Sequence, residues 1–131
     1  MMNKYSGPER RKSERAKASF LITYSVRKPG EVLMKVGSGE LPGVMLDLSE
    51  GGMAISTDYD LPVATTILIK ATLVNPYLSS EERVRTMEIL GDVYYSLALQ
   101  KKDYRLGIYF TQIAKEDKLA IAKFVKIGLA R

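Results

Sequence analysis

Two short clusters carry residue types that can do chemistry: Asp47-Leu48-Ser49-Glu50-Gly51-Gly52 and, about thirty residues upstream, Arg10-Arg11-Lys12-Ser13-Glu14-Arg15. Asp47 offers a carboxylate acceptor and Ser49 a hydroxyl. Alternate residues of an extended strand share a face, so Met45, Asp47 and Ser49 are expected on one side and Val44, Leu46 and Leu48 on the other. Glu50-Gly51-Gly52 interrupts the alternation with two residues free to take positive φ, and Met53, Ile55 and Thr57 restart it. The pattern predicts strand, tight turn, strand, with the backbone amides of the turn exposed beside Asp47 and Ser49. Asp, Ser and Gly are the usual turn residues, so in isolation the segment reads as an ordinary hairpin. Arg11 and Arg15 change that balance, because two guanidinium groups four residues apart fall on one side of an extended or helical segment and can act as a clamp.

Composition narrows what such clusters can serve. With 131 residues, 46% hydrophobic and 27% charged, the chain suits one globular domain with a single core. It has no cysteine and no histidine, which excludes Cys/His zinc sites, thiol chemistry, disulfides and histidine acid-base catalysis. Glu81-Glu82 and Glu116-Asp117 are adjacent carboxylates that diverge, so they are expected to be solvated rather than to form a general acid/base couple. Six Lys/Arg against two Glu in Met1 to Lys17 supply +4 of the net charge of +5. A basic arm on a near-neutral body suits a compact anion better than a long nucleic acid, although a solvated terminus gives the same pattern. The polar start lacks the apolar core of a signal peptide, and the run from Leu61 to Ile69 stops at Lys70, short of a membrane span. A cytoplasmic location is expected.

The elements that must hold these clusters follow from periodicity. Met1 to Pro8 is polar and ends in a breaker, so disorder is expected there. Phe20, Ile22, Tyr24 and Val26 alternate in Ala18 to Arg27, the mark of a half-buried strand. Lys28-Pro29-Gly30 turns the chain, and Glu31 to Val36 is expected as a second short strand or hairpin arm. Leu41 to Ser49 carries Asp47, Met53 to Thr57 returns along it, and Thr65 to Val74 is a further strand rich in β-branched residues. Ser80-Glu81-Glu82 can cap a short turn of helix within Ser79 to Arg85. Met87 to Leu99 is expected as a long strand bent at Gly91, joined by Gln100 to Asp103 to Tyr104 to Thr111. Strands at short intervals without intervening helices argue for an antiparallel barrel. From Lys115 to Ala130 the period changes to that of a helix, with Leu119, Ala122, Val125 and Leu129, flanked by Ile121 and Phe124, as the stripe that covers the barrel. Its lysines, Lys115, Lys118, Lys123 and Lys126, fit a solvated face better than a membrane-surface role.

Arg11 to Arg15, followed after one or two strands by Asp47-Leu48-Ser49-Glu50-Gly51-Gly52, resembles the PilZ domain, a bacterial receptor for cyclic di-GMP, with no substitution at a signature position. Leu106-Gly107-Ile108-Tyr109-Phe110, followed by a helix, resembles the last strand of that family. The resemblance implies an all-β fold, a six-stranded antiparallel β-barrel with a C-terminal α-helix. Residues 1–17 would be a flexible basic arm, 18–112 the barrel and 113–131 the helix packed on it.

For the site it implies that Arg11 and Arg15 contact guanine edges and phosphates, since guanine O6 and N7 match an arginine fork. Asp47 would accept from guanine N1 and N2, Ser49 would hydrogen-bond the ligand, and Gly51 and Gly52 would admit it against the backbone. Arg10 would stack on or pair with a second copy of an intercalated ligand dimer. Ligand binding would order the arm over the barrel and create a surface for an unidentified downstream protein in motility, biofilm or virulence control.

No metal or catalytic residue is expected, and no cofactor beyond the ligand cyclic di-GMP. The chain reads as an adaptor rather than an enzyme, without nucleic acid polymer or stable membrane insertion among its partners, and a homodimer through Asn75 to Arg85 stays open. A PilZ-fold interaction module that binds no nucleotide is the alternative. A small RNA- or DNA-binding barrel is disfavoured, because the eight tyrosines are scattered along the sequence rather than grouped on one strand face.

Overall fold

The structure is a computed structural model that describes the backbone of residues 15–129 and the side chains of residues 20–127. Alternation along the chain becomes six antiparallel strands: β1 (Arg15–Lys28), β2 (Leu41–Ser49), β3 (Gly52–Thr57), β4 (Thr66–Val74), β5 (Val84–Gln100) and β6 (Asp103–Gln112). They close in the order β1-β2-β3-β6-β5-β4, with β4 pairing back onto β1. Closure gives every strand a neighbour on each side. Tyr24, Met45, Leu48, Met53, Ile55, Ile67, Ile69, Met87, Ile89, Leu106 and Ile108 are fully buried side chains of these strands. Each contributes about 1.5–3 kcal/mol on full burial. Tyr24 carries its hydroxyl into this core, within 2.8 Å of Thr57 Oγ1. Burial pushes its pKa up to about 12, against the opposing effect of that hydrogen bond.

Five expectations are corrected. Glu31 to Val36 is not a strand: α1 (Gly30–Val36) is a helix. Val32 is buried and Leu33 and Val36 pack against the core, while Met34 faces out. That spacing is one helical face, and the Gly37 amide ends the helix by donating to the Leu33 carbonyl at 2.7 Å. In β2 the alternation breaks at a bulge between Met45 and Asp47, so Met45 and Leu48 are both fully buried and Met45 does not share the face of Asp47. One extra residue on one strand shifts every later side chain to the other face.

In α2 (Lys115–Leu129) the buried stripe is Asp117, Ile121 and Val125, with Leu119 58% exposed. Leu119 sits about 200° from Ile121 around the helix, on the far side. Asp117 is not solvated, because Arg85 Nε donates to its Oδ1 at 2.7 Å. Phe124 reaches β1 with its ring 6.0 Å from that of Phe20. Ser79 to Glu82 forms one hydrogen-bonded turn rather than a helix, and β5 begins directly after it, at Val84.

Candidate functional site

β1 begins at Arg15, three residues before Ala18, and this sets the backbone of the last residue of the basic cluster beside the Asp47 cluster. Its backbone pairs Arg15 with Ser49, Ala16 with Leu48 and Lys17 with Asp47 before the register shifts ahead of Phe20. Arg10 and Arg11, and with them the arm of residues 1–14, lie outside the described residues, as does the side chain of Arg15.

The turn after β2 is built around Ser49. Its side chain is almost fully buried, and Oγ accepts from the amides of Gly52 at 3.1 Å and Gly51 at 3.3 Å while donating to the Gly52 carbonyl at 3.2 Å. The two amides therefore point at the hydroxyl rather than outward, in contrast to the exposed amides expected from sequence. A side-chain oxygen satisfying the next residues' amides is the device of an ST-turn. Gly51 is tied to β6 by its carbonyl, which accepts from Phe110 N at 2.8 Å. Gly52 is required for space rather than for positive φ, since a Cβ there would overlap the Ile108 carbonyl.

Asp47 stands on the outer face with its side chain 18% exposed, and its Oδ2 accepts from Arg105 Nη2 at 3.1 Å. Arg105 is itself fixed by donating from Nε to the Tyr95 hydroxyl at 3.1 Å. Its burial works against the charge, but the Tyr95 hydrogen bond and the nearby Tyr95 and Asp47 groups prevail and raise its pKa above the ordinary value. The guanidinium is a permanent cation beside the turn.

Tyr95 packs edge-on against Tyr94 with centroids 5.0 Å apart, and Tyr94 lies 6.1 Å from Tyr109, the backbone partner of Gly52. Three tyrosines scattered in sequence are thus grouped on the outside of β5 and β6 beside the turn. Arg105 and the tyrosine group are the neighbours that sequence reasoning missed. The available signal was local: Arg105 and Tyr109 alternate with the buried Leu106 and Ile108 of β6, which puts them on the outer face.

A protein-family model of the PilZ domain matches residues 9–126. None of the curated proteins compared matches the chain. Among solved structures, the Bacillus subtilis inhibitor of motility (MotI/DgrA) superposes with a TM-score of 0.64 at 18% identity, over 93% of this chain and 51% of its own. The PilZ domain of Escherichia coli YcgR with cyclic di-GMP superposes with a TM-score of 0.58 at 14% identity, over 92% of both chains. The MrkH–cyclic di-GMP complex of K. pneumonia gives a TM-score of 0.58 at 15% identity, over 92% of this chain and 52% of its own. The chain thus spans about half the length of the motility inhibitor and of MrkH. At these identities the structures speak for the shared barrel, and the family model covers both sequence clusters. From the match over residues 9–126 it follows that this chain belongs to the PilZ domain family.

Proposed function

We propose that this domain is a cyclic di-GMP receptor in which Arg11 and Arg15 clamp the ligand against the Asp47 to Gly52 turn. PilZ domains are a receptor family for this messenger, and two of the similar structures carry it. The observation that supports the reading for this chain is the backbone register of β1 on β2. It sets Arg15 opposite Ser49 and Lys17 opposite Asp47, although about thirty residues separate them in sequence.

On this reading Asp47 accepts from guanine N1–H and N2–H, and the arginines take guanine O6/N7 and phosphate oxygens as charge-assisted forks. Ser49 serves the ligand through the turn that its hydroxyl closes. Gly51 and Gly52 let the ligand approach the backbone, and Arg10 holds a second ligand copy when the messenger binds as a dimer. The output is a surface for a downstream protein rather than a reaction. Among the described residues no helix is long and apolar enough to cross a membrane. A cytoplasmic receptor acting in motility, biofilm or virulence control fits this reading.

Isothermal titration with cyclic di-GMP, beside an Arg11→Ala/Arg15→Ala variant and a GMP control, tests it. Saturable binding to the wild type that the double variant loses is the expected result, with the stoichiometry reporting one ligand or a dimer. Neither heat nor thermal stabilisation, where a ligand of the native state must raise stability, would assign the barrel to protein interaction without nucleotide.

A further inference from the structure

Besides the side that it buries, α2 has a second organised side. Glu116, Leu119, Ala120 and Lys123 stand at i, i+3, i+4 and i+7 and share one face, turned away from the stripe of Asp117, Ile121 and Val125. Between this face and the segment from Leu78 to Arg85 runs a groove of about 270 Å³, whose apolar lining is Leu78, Val84, Leu119 and Ala120. Leu119 and Val84 are 58% and 56% exposed there. Ion pairs tie the walls together: Lys123 Nζ lies 3.3 Å from Glu82 Oε1, and Arg85 Nε lies 2.7 Å from Asp117 Oδ1. The groove therefore has fixed sides and an open apolar floor.

We propose that this face of α2 is a homodimer interface, in which the helices of two copies pack antiparallel about a two-fold axis passing between Leu119 and Ala120. The occupant follows from the order of side chains along the face: acid, leucine, alanine, base. Laid antiparallel on itself, that order is self-complementary, which an interface between identical surfaces requires. Glu116 of each copy meets Lys123 of the other, and Leu119 of each meets Ala120 of the other. A leucine opposite an alanine fills the space that the small residue leaves, and it reaches the groove beside Val84. Parallel packing would instead set Glu116 on Glu116 and Lys123 on Lys123. A partner of a single charge sign would meet one end of the face with like charge.

Among the described residues Glu116 has no ion-pair partner. Lys123 holds Glu82 through an exposed bridge, and an ammonium group donates more than one hydrogen bond, so it can take a second carboxylate. The charges fix orientation, and the leucines supply most of the affinity. The inference stands apart from the receptor reading, because it uses no residue of the candidate ligand site.

Sedimentation velocity on the full chain over a range of concentrations tests it, with thermal unfolding to check that each variant folds. The wild type is expected in monomer–dimer equilibrium. Leu119→Ser, at a position exposed in the single chain, should weaken the dimer about a hundredfold, since a leucine of each copy loses its burial. Glu116→Lys and Lys123→Glu should each weaken it about tenfold, because each turns both charge attractions into repulsions. An equimolar mixture of these two variants should associate as the wild type does, since opposite charges then face each other again. Should Lys123→Glu not fold beside Glu82, Leu119→Ser and Glu116→Lys decide the case.

A wild type that stays monomeric at every concentration would overturn the inference and leave the face to a different protein. So would a dimer that Leu119→Ser does not weaken. A mixture that associates no better than either charge variant alone would overturn the antiparallel pairing and the inference with it.

Discussion

A buried hydroxyl with three hydrogen bonds is costly to delete. Ser49→Ala would strand the Gly51 and Gly52 amides, and the loss is expected to be about 1–3 kcal/mol. That is roughly 3–5 °C in Tm per kcal/mol for a domain of this size, measurable by thermal unfolding. Tyr24 supplies a pH prediction. Its pKa is raised from 10.0 to about 12 by burial, so the folded state favours the neutral phenol. Its contribution is fully present below pH 10 and is lost as pH rises toward 12, at about 1.4 kcal/mol per pH unit. Denaturant titrations at pH 9 to 11 should show this decline, and Tyr24→Phe, less stable at neutral pH for want of the Thr57 bond, should flatten it. At this scale the turn at Ser49 to Gly52 was legible because the types and spacing of its residues carry the pattern. Arg105 was not, since only the pairing of β3 with β6 carries it to a carboxylate far away in sequence.

The helix covering the barrel shows how one element divides its residues. Ile121 is fully buried beneath α2, whereas Leu119, equally apolar, is 58% exposed. Ile121→Ala is therefore expected to cost about 2–4 kcal/mol, and Leu119→Ala less than about 0.5 kcal/mol, by chemical denaturation. Periodicity located this helix and every strand of the barrel, because alternation and the 3.6-residue repeat are set by the residues themselves. It misassigned Glu31 to Val36, where a seven-residue segment is too short to separate the two periods and the packing of Val32 decides. It also missed the bulge ahead of Asp47, whose cause is the pairing of β2 with β3 rather than any residue of β2 alone. Past the bulge Asp47 stays partly exposed, while Leu48 and Ser49 are both buried.

At the scale of the molecule, strand pairing sets the start of β1 beside the Ser49 turn. β1 pairs with β4 on one side and β2 on the other, so the start of β1 is carried to the Ser49 turn, while β6 brings Arg105 and Tyr109 to its other flank. Short-interval strands made the closed barrel legible in sequence, but the tyrosine group appears only once β5 and β6 are paired. The most direct test of the account is an NMR titration of the isotope-labelled chain with cyclic di-GMP, following every assigned backbone amide. The largest saturable shifts are predicted at residues 11 to 17, at Asp47 to Gly52, and at Arg105 to Phe110. No shifts, or shifts centred on the opposite wall around Arg27, Leu68 and Leu90, would contradict it.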